Sequence, residues 1–127
     1  MRFVLFTLVF ISLAYSSKIN EAETYKEAIE LGIKENKKVL MFVYTDYCPW
    51  CTKMKRETLK DPEAVEFINS RYIFVKANKN KADIPSDFKP RFIPTTYLIE
   101  PETQDEIYAL YGFKSTEHLV NELWDEK

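Results

Sequence analysis

Hydrophobic residues along the chain fall into short runs and stripes separated by polar, turn-forming stretches. Tyr25, Ala28, Ile29, Gly32 and Ile33 recur at helical spacing, which predicts a helix with one apolar stripe ending near Asn36. Asn20, with Glu23 three residues on, is the expected cap and capping-box partner of that helix. Val39-Leu40-Met41-Phe42-Val43-Tyr44 is a continuous apolar run rich in β-formers, the pattern of a strand buried on both faces as in a parallel sheet. A helix is expected over about residues 49–59. A second follows from 62 to about 70, with Asp61 as N-cap and Pro62 in first position. Residues 72–77 read as the next strand, and the polar stretch 78–92, with Pro85 and Pro90, has room only for a short helix or turn. Residues 95–99 and 107–111 read as strands paired in a hairpin across the turn-like segment 101–105. Ser115 is expected to cap a last helix that buries Leu119, Val120, Leu123 and Trp124. Helices and strands in this order predict a small α/β sandwich around a mixed central sheet.

The N-terminal segment reads differently. Arg2 is followed by residues 3–15 without a charge, long enough for the apolar region of a secretory signal and short for a membrane span of about 20 residues. Ala14 and Ser16 are small residues at the −3 and −1 positions of a cleavage after Ser16, which makes 1–16 the expected signal peptide and 17–127 the domain. An uncleaved anchor is the competing reading. Export places both cysteines where disulfides can form and persist. The final Trp124-Asp125-Glu126-Lys127 is not a reticulum-retention signal, so a periplasmic or otherwise exported location is expected.

Composition removes several function classes. At 127 residues the chain has the size of one domain, and 46% hydrophobic with 15% aromatic residues is too apolar for a disordered segment. Two glycines leave no glycine-rich phosphate loop. Eighteen basic against twenty acidic residues give a net charge of −2, which argues against a general nucleic-acid binder. One histidine and two cysteines exclude a zinc site built on Cys and His alone.

The chemistry sits at Cys48-Pro49-Trp50-Cys51, directly after the buried strand and at a helix start. Two thiols one helical turn apart are within reach of a disulfide. Cys48 faces unpaired backbone N–H groups and the positive helix end, so its thiolate is favoured, while Cys51, one turn inside, is expected to be more buried. A structural staple, half a metal site with His118, and two inert thiols compete with a redox role. The four-residue loop closes little chain entropy, and His118 reads as a surface or boundary residue. Trp50 is expected to be exposed beside the cysteines, contacting substrate or packing on the domain. Tyr97, Tyr108 and Tyr111 read as sheet packing, the Lys76-to-Lys81 run as a solvated loop or a docking patch for an acidic partner, and Lys53 and Lys55 as solvent-facing helix lysines.

Strand-Cys-x-x-Cys-helix, Ile93-Pro94-Thr95 before a later strand, and Tyr111-Gly112-Phe113-Lys114-Ser115 before a final helix together resemble thioredoxin over roughly residues 21–125. The segment from Thr58 to Val65, with Asp61-Pro62, further resembles exported thioredoxin-like proteins and the soluble reductase domain of the membrane disulfide-reducing system. The resemblance implies a thioredoxin-like three-layer sandwich and a thiol-disulfide oxidoreductase that uses Cys48 and Cys51. It also implies a cis-proline loop in which Ile93 and Pro94 meet substrate. Protein or peptide disulfides are the implied substrates and a membrane electron donor a candidate partner. No metal or organic cofactor and no dimer is expected. The alternative is a non-catalytic binding or chaperone-like module stapled by the pair.

The sequence departs from the family in several places. Phe42 stands where thioredoxins place a buried Asp as proton acceptor for the resolving thiol, so Asp46 or water must substitute. Tyr47 replaces the Trp before the first cysteine, and Cys-Pro-Trp-Cys is nearer the glutaredoxin type Cys-Pro-Tyr-Cys, without a convincing glutathione site. The family's first strand is expected to be missing or very short between Ser17 and Asn20, and the helix before Pro94 reduced.

Overall fold

The computed structural model describes residues 18–126; the expected signal peptide lies outside the described residues. The elements run β1 (Glu21–Ala22), α1 (Tyr25–Glu35), β2 (Lys38–Tyr44), α2 (Pro49–Glu57), α3 (Pro62–Arg71), β3 (Tyr72–Asn78), β4 (Thr95–Ile99), β5 (Glu106–Tyr111) and α4 (Thr116–Trp124). A single 3-10 turn at Ser86–Phe88 breaks the long polar stretch, the reduced helix expected before Pro94.

The five strands lie in the order β1-β3-β2-β4-β5. β1 and β2 flank β3 in parallel, whereas β4 runs antiparallel to both β2 and β5. The central position of β2 explains its unbroken apolar run, because each face of the sheet has its own core. Leu40 and Phe42 join Cys51, Met54, Ile68, Leu119 and Leu123 on one side, under α2, α3 and α4. Val39, Met41 and Val43 join Tyr25, Ala28, Ile29 and Phe88 on the other, under α1. The result is the α/β sandwich around a mixed sheet that the pattern predicts, in the three layers that the resemblance implies, with Cys48 four residues past the end of the central strand β2.

The caps of α3 and α4 are the expected ones: Asp61 accepts from the Glu63 N–H at 2.9 Å and Ser115 from the His118 N–H at 3.3 Å. α1 departs from expectation. Its N-cap is Thr24, whose hydroxyl accepts from the Glu27 N–H at 3.1 Å, while the Glu27 carboxylate accepts from the Glu23 N–H at 2.7 Å. Asn20 instead donates its N–H to Asn69 on α3. The first strand exists, but as the two residues Glu21–Ala22 just past Asn20, paired with Phe74 and Val75. Ile33, expected in the apolar stripe, is half exposed in the last turn of α1, which closes at Asn36 in a left-handed C-cap. Gly32 is what lets that end of α1 seat: a Cβ there would lie 2.8 Å from the Lys37 carbonyl oxygen and 2.9 Å from Pro101. Trp124 is also half exposed. Its ring covers Phe67 at 6.1 Å between centroids, with the Arg71 guanidinium 4.3 Å from the ring centre.

Tyr97 is buried on β4 with Phe88 edge-on at 5.1 Å, and burial pushes its phenol up to about 12. Between pH 10 and 12 the unfolded chain releases this proton while the folded chain keeps it, so stability falls with rising pH by at most about 2–3 kcal/mol from this group. Tyr97→Phe is expected to match the wild type near pH 8 and to exceed it above pH 11. Urea unfolding at the two pH values checks this; parallel losses in both proteins would contradict it.

Candidate active site

The segment that delivers Cys48 is fixed from below. β2 ends at Tyr44, whose carbonyl accepts from the Lys79 N–H at 2.8 Å. Asp46 accepts from the Asn78 amide at 3.3 Å and pairs with Lys81 Nζ at 2.7 Å. The Lys76-to-Lys81 run is therefore not simply a solvated loop. Lys76 lies within β3 and pairs with Glu21 at 3.3 Å, while Lys81 anchors the approach to the cysteines. Tyr47 then turns the chain in a left-handed conformation, φ 59°, with its side chain fully exposed.

Cys48 is the N-cap of α2 and Pro49 its first residue. The two sulfurs form a disulfide across a Cα–Cα distance of 5.2 Å. The pair is unequal: Cys51 is buried at 1% exposure, whereas Cys48 is only partly covered. The Cys51 N–H donates to Cys48 Sγ at 3.2 Å, so the first sulfur occupies the place of a capping side chain. An amide pointing at that sulfur, at the positive end of a helix, stabilises a thiolate there once the bond is open. The Cys48 carbonyl in turn accepts from the Thr52 N–H and hydroxyl.

The Ile93–Pro94 peptide is cis and closes the other side, with the Ile93 carbonyl oxygen 4.0 Å from Cys48 Sγ. This loop is held at both flanks. The Pro94 carbonyl accepts from Gly112 N–H at 2.7 Å, and the Thr95 hydroxyl donates to the Phe92 carbonyl at 2.6 Å. Gly112 has φ 81°, a conformation that a residue with a Cβ adopts at a cost. Cys48, Cys51, Ile93 and Pro94 thus meet, although some forty residues separate the two segments. Trp50 stands at their edge, 57% exposed, its ring 5.9 Å from that of Phe113.

Sequence reasoning left Phe92 without a role here. Phe92 is 68% exposed and edge-on to Tyr111, which is itself exposed and so not the sheet-packing residue expected. Tyr108, by contrast, packs half-buried against the core as expected, and its hydroxyl donates to Glu122 at 2.6 Å. A phenylalanine in a polar loop, adjacent to Ile93-Pro94, was the available signal. Neither helix lysine is simply solvent-facing. Lys53 Nζ lies 5.2 Å from the Trp50 ring centre and 4.8 Å from that of Phe113. Lys55 Nζ sits 3.3 Å above the Tyr44 ring, and burial, then neighbouring Lys76, push its ammonium below the ordinary lysine range.

Behind the cysteines the core is apolar. Phe42 has no exposure and stacks with Tyr44 at 6.1 Å. Thr96, opposite Phe42 in register, carries a buried hydroxyl without a partner among the described residues. Asp46 is ill suited to replace the missing acid, because Lys81 holds its carboxyl below the usual carboxylate range and weakens it as a base. His118 is exposed on α4. Among the described residues no group of three or more His, Cys, Asp or Glu is placed to hold a metal ion, and no helix is long and apolar enough to cross a membrane.

Solved structures share this architecture. A thioredoxin from Thermus thermophilus superposes with a TM-score of 0.72 at 20% identity, covering 87% of this chain and 88% of that one. DsbH oxidoreductase does so with a TM-score of 0.70 at 21% identity, over 86% of this chain and 84% of that one. The oxidised C-terminal domain of DsbD from Neisseria meningitidis gives 0.66 at 19% identity, over 84% of this chain and 100% of that one. At these identities the likeness establishes the fold. No curated protein sequence matches the chain. Residues 25–125, almost the whole described chain, match the family defined as the thioredoxin-like domain, and the protein belongs to that family.

Proposed function

We propose that this protein is a thiol-disulfide oxidoreductase that reduces protein disulfides outside the cytoplasm through a Cys48–Cys51 cycle. The observation that carries the reading is the inequality of the pair. One sulfur is reachable and accepts an amide N–H at a helix start; the other is buried one turn inside. In the reduced protein the Cys48 thiolate attacks a substrate disulfide, forming a mixed disulfide and releasing one substrate thiolate, which takes up a proton. Cys51, deprotonated, then attacks Cys48 Sγ, releases the second substrate thiol and leaves the protein oxidised. Two electrons pass to the substrate, and an external dithiol donor, by this reading membrane-bound, restores the Cys48–Cys51 pair.

Ile93, Pro94 and Trp50 frame the sulfur that substrate meets. The reducing direction is supported by Ile93 before the proline and by the Asp61-Pro62 segment at the start of α3. The similar DsbD domain has been solved in both oxidised and reduced forms, as a cycling dithiol requires. The exported location rests on the apolar segment 3–15 and the small residues at 14 and 16.

Cys51→Ser tests the mechanism. Incubated with a peptide disulfide, the full-length variant is expected to accumulate a mixed disulfide at Cys48, read as an added peptide mass that dithiothreitol removes. The wild type should release the peptide as thiol. A variant whose Cys48 alkylates readily yet captures no peptide would contradict the cycle.

A further inference from the structure

Beside Cys48 the surface opens into a groove of about 670 Å³, lined among others by Tyr47, Trp50, Thr52, Lys53 and Arg56. Its charged lining is two cations and no carboxylate, in a chain whose net charge is −2. The local sign is therefore not a consequence of composition. Lys53 is held against the faces of Trp50 and Phe113, which places a positive charge where an aromatic platform meets solvent. Arg56 is well exposed, and its ion pair with Glu57 at 3.5 Å joins two solvent-exposed groups, a weak contact that leaves most of its donors available. The first turn of α2 contains no acidic residue, so the positive helix end adds to the same sign.

We infer that this groove selects disulfide substrates in which the attacked cysteine is flanked by carboxylates and by an aromatic or large apolar side chain. The carboxylates meet Lys53 and Arg56, and the apolar side chain lies on Trp50 and Tyr47. The inference rests on the reading of Cys48 as nucleophile and adds to it the class of substrate.

The test uses the full-length protein, reduced with dithiothreitol, freed of reductant and mixed with one of two synthetic peptide disulfides. The peptides share one sequence with a phenylalanine near the cysteine and differ only in carrying glutamates or lysines beside it. Released thiol is followed by mass under single-turnover conditions. The acidic peptide is expected to react about tenfold faster than the basic one at low ionic strength, the ratio falling to within about twofold in 0.5 M salt as exposed charges are screened. Lys53→Gln combined with Arg56→Gln should bring the low-salt ratio close to one. Lys34→Gln combined with Lys60→Gln, which removes an equal charge outside this groove, should leave the ratio in place. Equal rates for both peptides in the wild type overturn the selectivity and leave the dithiol cycle standing. So does a ratio that the Lys34/Lys60 double variant lowers as much as the Lys53/Arg56 double variant. Release from neither peptide overturns the nucleophile reading and the selectivity with it.

Discussion

Replacing Cys48 with serine is expected to abolish disulfide reduction, by at least about a thousandfold, since a hydroxyl at the same place supplies no thiolate. The fold should survive the change. Serine is among the best N-cap residues, and its oxygen can accept the same Cys51 N–H that the sulfur accepts at 3.2 Å. Losing the disulfide across so short a loop costs about 2 kcal/mol by the loop-entropy relation. Activity and stability therefore separate: thiol release from a peptide disulfide should vanish while circular dichroism reports a folded, modestly weakened protein. A structural staple would behave otherwise. Cys48→Ser and Cys51→Ser would then be equivalent, each lowering stability alone.

The second large effect lies behind the cysteines. Phe42→Ala is expected to lower the free energy of unfolding by about 3–5 kcal/mol, the range for emptying a large aromatic site that cannot collapse. Phe42 has no exposure, sits at the middle of the central strand and belongs to the cluster that contains Cys51, Met54, Leu98 and Leu110. β2 is paired on both sides along its length, so the backbone has little freedom to close the void. Urea unfolding of the oxidised proteins measures the difference; a loss below about 1 kcal/mol would mean that the site relaxes far more than its burial implies. The same burial bears on mechanism. Thioredoxins hold an acid at this place, whereas here the space is filled by a ring. In the proposed cycle the proton of Cys51 would have to reach solvent by another route, and Asp46, paired with Lys81, is a poor one.

Long periodic segments of the fold were legible because they bury whole faces. The run 39–44 announced a doubly covered strand, and Asp61-Pro62 and Ser115 announced helix starts that the structure reproduces. Short features were not legible in the same way. A two-residue strand such as Glu21–Ala22 has no period to detect. Asn20 with Glu23 and Thr24 with Glu27 are equally good capping pairs on paper, and only the pairing of the preceding residues with β3 and α3 decides between them. The positions of Cys48 and Cys51 followed from the motif and its place after the strand. The exposed Trp50 beside them followed as well, but the aromatic residues around it did not: Phe92, Tyr111 and Phe113 come from two other segments that meet it only through tertiary structure, around the Ile93–Pro94 bond and the Gly112 turn. Lys55 over Tyr44 is a similar case, since a surface lysine and a buried-edge tyrosine eleven residues apart have no pattern that links them.

The reduction potential of the Cys48–Cys51 pair tests the proposed redox role most directly. The full-length protein is equilibrated with graded dithiol buffers, quenched in acid and alkylated, and its free thiols are counted by mass. A reachable sulfur stabilised as thiolate by the Cys51 N–H should give a potential between about −270 mV, the thioredoxin value, and about −120 mV, that of a strong dithiol oxidant, with the proposed reducing direction placing it near the lower limit. A bond that stays closed below about −300 mV behaves as a structural disulfide, and that result would contradict a catalytic role for Cys48 and Cys51.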